Sequence, residues 1–274
     1  MKNRWKLVMA LLLSAGVVNA AYVTIGNAGN AADATTGYGA VAYSYKISAT
    51  EVTIAEFNAS GAGSGGEDYW NSVGTAAPAS YVSLYEAMKY CNFITSGDVN
   101  SGYYNSGDAG ATYQANALSH DAYAAANGLT YFVPTEDEWY KAAYYDASGA
   151  GGYSLYANGT STAPVAGTDA NYSGSTAWVV GTGTEEQNET DDMMGNVWEW
   201  MEDSAGVIRG GGYSVSEVTL RSSNRVDAFS PSDEVNYIGF RPVEVVPEPA
   251  TMGLLGIGGA IVFLSRLKRR FYSL

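Results

Sequence analysis

The chain contains one cysteine, Cys91, and one histidine, His120. A single cysteine excludes an internal disulfide framework and any zinc site built from several cysteines. A single histidine excludes a metal centre with three histidine ligands and disfavours a histidine-based catalytic triad. Cys91 falls on the apolar stripe of a predicted helix, where a free thiol packs as a small hydrophobic side chain. His120 falls in a polar segment, which predicts a solvated loop histidine.

Carboxylates are the most abundant groups that could bind a ligand. The chain has 28 acidic against 14 basic residues, a formal net charge of −14 at pH 7. Seven of the basic residues lie close to the two ends, so the central part of the chain is more acidic still. Such a surface repels phosphate backbones and anionic lipids, which excludes nucleic acid as a partner. Cations, including calcium, are the expected counter-partners.

The first 20 residues have the pattern of a secretory signal peptide. Basic residues precede the apolar run Leu7–Val18, and Val18-Asn19-Ala20 supplies modest or small side chains for cleavage after Ala20. The alternative is a retained membrane anchor, but the apolar run is shorter than the ~20 residues that a span needs. We therefore expect residues 1–20 to be removed and the rest to be exported through the inner membrane.

Residues 245–274 have the pattern of a second targeting signal. Pro247-Glu248-Pro249 precedes the apolar segment Met252–Leu264, and a basic cluster follows at Arg266–Arg270. This order resembles the PEP-CTERM sorting signal of Gram-negative bacteria. The resemblance implies a transmembrane helix that holds the chain in the membrane until an exosortase cuts near Pro-Glu-Pro. The protein would then pass to the cell surface or the extracellular matrix. A plain C-terminal anchor is the alternative.

The elements between these segments predict one α+β domain over residues 21–244. Capping boxes, in which Glu follows Ser or Thr by three residues, predict helices that begin after Thr53, Ser83 and Thr135. Short apolar runs predict strands at Ala40–Ile47, Tyr131–Val133, Val207–Arg209 and Ile238–Val243. Long Gly-, Ser-, Asn- and Tyr-rich stretches between them predict loops. We expect the side chains of Trp198 and Trp200 to pack in the core.

An ordered series of motifs runs through this domain. The motifs are Glu51-Val52-Thr53, Tyr81–Ala87, Val133–Trp139, Met194–Trp200, Arg209–Ser214, Leu220–Ser222 with Arg225, and Gly239–Arg241. Their order and spacing resemble the sulfatase-modifying-factor domain of the formylglycine-generating-enzyme family, over essentially the whole exported body. The resemblance implies a loop-rich fold related to C-type lectins, with bound calcium.

The resemblance also implies where catalytic residues would lie. In the oxidase branch two cysteines bind copper, and their positions fall near Val215 and Leu220, which have no metal-binding side chain. Another branch uses iron held by histidines that come largely from a further domain. We therefore expect neither copper nor iron. The open alternative is an oxidoreductase of this family with an unrecognised metal site.

The calcium signature of the family is retained in part. The positions of one site correspond to Asp192, Gly195, Val197 and Glu199, which supply carboxylate and backbone oxygens suited to calcium. Asn171 and the carbonyl of Tyr172 match the start of a second site, whose later Asp partner has no clear counterpart. A solvated acidic loop is the alternative for Asp192 and Glu199.

The cleft that holds the cysteines in active relatives is the predicted ligand-binding surface. It would be lined by Tyr213, Ser214, Val215, Ser216, Glu217, Arg221, Arg225, Asn236 and Tyr237. Structural ion pairs are the alternative role for the two arginines. These features favour a surface module that binds an extracellular polysaccharide or another surface protein.

Overall fold

The computed structural model describes residues 21–63, 73–106, 112–146, 151–202 and 206–247. Within these ranges, helices α1 to α4 span Ile54–Ser60, Leu84–Ser96, His120–Asn127 and Glu136–Tyr144, and a 3-10 turn spans Glu217–Leu220. Strands β1 to β9 span Tyr22–Ile25, Tyr45–Ser48, Asn105–Ser106, Tyr113–Gln114, Thr130–Phe132, Trp198–Trp200, Ile208–Arg209, Ile238–Gly239 and Val243–Val245. These short elements joined by long loops form the mixed helix and sheet architecture expected from the sequence.

Two larger sheets organise the described residues, and β3 and β4 pair as a separate two-stranded sheet. The first has the order β1-β2-β9-β5 and is antiparallel throughout, so the last strand lies between two others. The second has the order β7-β6-β8, with β6 antiparallel to β7 and parallel to β8. Glu199 is the middle residue of β6 and lies opposite Arg209 and Gly239. A carboxylate thus projects from the central strand of the second sheet.

Capping boxes begin three of the four described helices, as predicted. Thr53, Ser83 and Thr135 each accept a hydrogen bond from the backbone N–H three residues later, and the Glu at that position bonds back to the cap. This reciprocal arrangement satisfies two helix N–H groups that would otherwise lack partners.

Aromatic side chains dominate the core around both sheets. Trp200 is fully buried and its Nε1 donates to the carbonyl of Val82 at 2.7 Å. Trp198 is also buried, so core packing is confirmed for both tryptophans. Cys91 is fully buried on α2, and burial raises the pKa of its thiol well above its usual value. The predicted core role of Cys91 is therefore confirmed.

Three local predictions were wrong in part. The strand predicted over Ala40–Ile47 begins only at Tyr45, because Val41 N–H bonds to the side chain of Asn30. The run Ile238–Val243 divides into β8 and β9 in different sheets. Arg241 turns into the core between them, and Pro242 has no N–H for a ladder. Helix α3 was not predicted, because its cap Ser119 makes no side-chain capping bond.

The two sorting segments fall mostly outside the described residues. The predicted cleavage residue Ala20, together with Glu248, Pro249 and the apolar segment that follows them, is not described. Pro247 is described and lies two residues after the end of β9. None of the helices in the described ranges is both long enough and apolar enough to cross a membrane.

Candidate functional site

A buried charged cluster lies where β6 meets the segment between β8 and β9. We name its members, Glu51, Glu186, Asp192, Glu199 and Arg241, the Arg241 cluster. Arg241 is fully buried, and its Nε lies 2.8 Å and 3.0 Å from the two oxygens of Glu199. Its remaining N–H groups donate to the carbonyls of Ser48, Ala49 and Asp191. The guanidinium is thus fully hydrogen-bonded inside the core.

Glu199 is committed to this ion pair. Its Oε2 also accepts a hydrogen bond from Trp139 Nε1 at 2.8 Å, and its side chain is 0% exposed. Burial opposes the charge on Arg241, but the facing carboxylates, led by Glu199, raise its pKa above the usual value. The alternative of a solvated acidic loop is therefore wrong for Glu199.

Glu51 is the least satisfied member of the cluster. It is fully buried, and neither carboxylate oxygen has a hydrogen-bond donor among the described residues. Burial, followed by the nearby charge of Asp192, raises its pKa well above the usual value. A hydrogen bond with Glu51 would lower the pKa of Asp192, but two ionised carboxylates have no proton to share. A proton or a cation between them would remove this deficit.

The other carboxylates of the cluster are also perturbed. Burial raises the pKa of Asp192 to about 6, although its Oδ2 accepts a hydrogen bond from the N–H of Gly181 at 2.7 Å. Burial raises the pKa of Glu186 to about 8, and this group accepts from the N–H groups of Met193 and Met194. Four carboxylates therefore share one guanidinium, which leaves the cluster with excess negative charge when all are ionised.

The two predicted calcium segments lie side by side. Asn171 and Gly195 form a parallel bridge, and the carbonyl of Asn171 accepts the N–H of Asn196 at 2.9 Å. Asp192 and Asn196 have positive φ angles of 60° and 55°, so the backbone turns tightly before β6 and Val197. Tyr172 directs its hydroxyl away, to the carbonyl of Pro164 at 2.6 Å.

The fit of these residues to calcium is partial. Asp192 and Glu51 offer hard carboxylate oxygens in a buried place whose one guanidinium, that of Arg241, is paired with Glu199, which suits calcium. Glu199 would have to give up Arg241 to bind a metal ion. No three His, Cys, Asp or Glu side chains of the described ranges are arranged to hold a metal ion. The arrangement thus favours Asp192 with Glu51, rather than with Glu199, as the carboxylate pair.

The predicted ligand cleft divides into separate groups of contacts. Asn236 Nδ2 donates to the Tyr213 hydroxyl at 3.3 Å, and Tyr237 packs beside Tyr213. Val215 is half-buried, and its carbonyl accepts the N–H of Ser173 at 2.8 Å. Leu220 is fully buried in the core. Ser214 and Ser216 lie beside Val215 in sequence, and both are exposed.

Both arginines of this cleft have carboxylate partners. Arg221 pairs with Glu217, four residues earlier, at 2.8 Å, and its Nε donates to the hydroxyl of Tyr156. Arg225 pairs with Glu136 at 3.0 Å and with Asp227 at 2.7 Å. The structural alternative is therefore supported for both arginines, and Arg225 is directed towards α4.

His120 is not the solvated loop residue that its polar sequence context suggested. It is 2% exposed and is the first residue of α3. Its Nδ1 lies 3.0 Å from Glu138 and its Nε2 lies 2.9 Å from Glu202, and Phe132 stacks on its ring. Sequence reasoning missed this triad because the three residues are far apart in the chain. The sequence analysis identified Glu51 and Arg241 only as members of family motifs, because their contacts also join segments that are far apart in the chain.

Comparisons with known proteins identify the family and the fold. Residues 30–246 match the family model described as sulfatase-modifying factor enzyme 1-like domain, and residues 245–270 match the PEP-CTERM protein-sorting motif. No curated protein sequence matches the chain.

Several solved structures share the fold. Treponema denticola variable protein 1 is 22% identical, with 81% of this chain and 94% of that chain covered and a TM-score of 0.56. CarF is 19% identical, with 83% and 98% covered and a TM-score of 0.58. PvdO from Pseudomonas aeruginosa is 18% identical, with 77% and 83% covered and a TM-score of 0.50. At these identities they show the fold alone. Because the family model spans most of the sequence, the chain belongs to the sulfatase-modifying factor enzyme 1-like domain family, and it ends in a PEP-CTERM sorting motif.

Proposed function

We propose that the protein is a binding or structural module of the cell surface or extracellular matrix, built on a formylglycine-generating-enzyme-like domain without its oxidase centre. The sorting motif implies export to the envelope of a Gram-negative bacterium and recognition by an exosortase. The expected ligand is an extracellular polysaccharide or another surface protein. Before cleavage, the segment after Pro249 would hold the chain in the membrane.

One observation carries this proposal. The family resemblance puts the two copper-binding cysteine positions of the oxidase branch near Val215 and Leu220, and neither side chain can bind copper. The single cysteine of the chain, Cys91, is fully buried on α2 with a raised thiol pKa. A reactive thiol needs exposure and a lowered pKa, so Cys91 is a poor substitute.

Calcium is the proposed stabilising ion. Asp192 and the backbone carbonyls of Gly195 and Val197 would hold it, and Glu51 is the buried carboxylate that lacks a partner. A bound divalent cation would supply positive charge to a cluster in which four carboxylates face a single arginine. The proposed second site at Asn171 and Tyr172 rests on the family positions and on the bridge from Asn171 to Gly195.

Oxygen uptake tests the absence of the oxidase centre. The full chain, incubated with copper and a cysteine-containing peptide, should consume oxygen no faster than the peptide and copper alone. The matched control is the Val215→Cys/Leu220→Cys double variant, which should gain copper binding. Oxygen consumption by the unmodified chain would contradict the proposal. A double variant that keeps the wild-type Tm and binds no copper would contradict the assignment of the two positions.

A further inference from the structure

The triad formed by Glu138, His120 and Glu202 has no role in the proposed oxidase-free module. Glu138 is saturated, because it accepts bonds from His120, from the Tyr43 hydroxyl and from the Thr135 cap. Burial opposes a charge on His120, but Glu138 and then Glu202 raise its pKa to about 10. The imidazole is therefore charged at neutral pH and holds both carboxylates in place.

Among the residues that the structure describes, the short hydrogen bonds to Glu202 all reach one of its two carboxylate oxygens. Its Oε2 accepts hydrogen bonds from His120 Nε2 and from the Tyr104 hydroxyl. Its Oε1 lies 3.5 Å from the Tyr103 hydroxyl, whose hydrogen has a better acceptor in the carbonyl of Leu118 at 2.9 Å. Oε1 thus keeps its capacity to accept hydrogen bonds from another molecule.

Glu202 lies in the wall of a cavity of about 370 Å³, and its side chain is 11% exposed. Pockets for small ligands have volumes of about 300–1,000 Å³, with mostly apolar walls and few polar groups. The apolar wall here comes from Leu84, Tyr85, Met88, Tyr113 and Pro231. Gln114 adds an amide at the edge. Tyr113 is fixed by a 2.6 Å hydrogen bond from its hydroxyl to Asn100. We name this cavity the Glu202 pocket.

We propose that the Glu202 pocket binds a neutral sugar unit, with two hydroxyl groups donating to Glu202 and an apolar sugar face against Tyr85 and Tyr113. This inference rests on the proposed binding function and places its ligand away from the predicted cleft at Tyr213 and Arg221. A sugar ring combines hydroxyl donors with apolar C–H faces, which matches a fixed carboxylate beside aromatic rings.

Two observations favour a neutral ligand over an organic cation. The charge of Glu202 is already countered by the protonated imidazole of His120, which donates to it directly. The ammonium of Lys89 lies 5.3 Å from the centroid of the Tyr113 ring, so a second cation at this wall would meet a like charge. Both charges make a neutral hydroxyl donor a better match to Glu202 Oε1 than a cationic donor.

The test uses a glycan array, followed by calorimetric titration of the bound mono- or disaccharide into the full chain. Glu202→Gln should weaken binding by about tenfold or more, because it removes hydrogen bonds to a charged acceptor. Ala115→Trp should abolish binding, since Ala115 is an exposed residue of the pocket edge and an indole there would fill the space. Glu217→Gln probes the other cleft, and Glu185→Gln, at an exposed carboxylate that does not line the pocket, is the control and should bind as wild type.

Each outcome bears on a different claim. Loss of binding in Ala115→Trp with an unchanged Tm supports the pocket even if Glu202→Gln is unstable. Sugar binding that fails in Glu217→Gln and persists in Ala115→Trp overturns the pocket and leaves the proposed binding function intact. Binding of benzylammonium in place of any saccharide overturns the sugar assignment. Absence of both ligands from the wild-type pocket overturns the inference, whereas oxygen uptake and metal content test the proposed function.

Discussion

Two substitutions in the Arg241 cluster should change stability in opposite directions. Glu199→Gln breaks a buried ion pair in which three contacts of 2.8–3.0 Å join Arg241 to Glu199. Removing one partner of such a pair costs about 3–5 kcal/mol. For a domain of this size, 1 kcal/mol corresponds to about 2–4 °C in Tm, so we expect a loss of about 6–20 °C.

Glu51→Gln should do the reverse in buffer without divalent cations, at a pH above the raised pKa of Glu51. Glu51 is fully buried, has no hydrogen-bond donor among the described residues and lies beside Asp192, so the form that is ionised at this pH destabilises the fold. An amide at this position can donate to Asp192, and a hydrogen bond to a charged group contributes about 1.5–3 kcal/mol. We expect Tm to rise by several degrees.

Thermal unfolding of the full chain with EDTA and with calcium measures both effects. Calcium should raise the Tm of the wild type and have a smaller effect on Glu51→Gln, because one proposed carboxylate is lost. Equal decreases in Tm for both variants in EDTA would refute the reasoning, since they would mean that Glu51 is as well satisfied as Glu199. An unchanged calcium response in Glu51→Gln would exclude Glu51 as a ligand.

Three further predictions follow from other contacts. The pKa of His120 is raised to about 10 in the folded chain. Its contribution to stability is therefore complete below about pH 6.5 and is lost as the pH rises to 10. The urea midpoint of unfolding should fall over this pH range, and His120→Gln should flatten the decline. Ser83→Ala removes the α2 cap and should lower the free energy of unfolding, measured in urea titrations, by about 1 kcal/mol. Thr219→Ala, which is not at a helix cap, should change this free energy little. A chain that ends at Val246 keeps β9 complete and should be released into the medium, and retention on the cell surface would contradict sorting by the tail.

The sequence predicted what depends on local pattern. Capping boxes located α1, α2 and α4, because cap and partner lie three residues apart. Family motifs fixed the fold, and the apolar stripe of α2 predicted the burial of Cys91. These inferences depend on short-range geometry or on an ordered series of motifs, and neither requires knowledge of tertiary contacts.

The sequence could not predict contacts that join distant segments. Arg241 meets Glu199 across 42 positions, and His120 meets Glu202 across 82. His120 in particular has polar neighbours in sequence, and it is buried because β5 and β9 pack on α3 and Phe132 of β5 stacks on its ring. The split of Ile238–Val243 into two sheets had a local signal in Pro242, which the strand interpretation passed over.

Metal content tests the central claim most directly. The full chain, purified and dialysed against metal-free buffer, is analysed for calcium, copper and iron. An oxidase-free, calcium-stabilised module should retain about one or two calcium ions per chain and no stoichiometric copper or iron. Stoichiometric copper or iron would contradict the account, because it would place a redox centre where Val215 and Leu220 leave none.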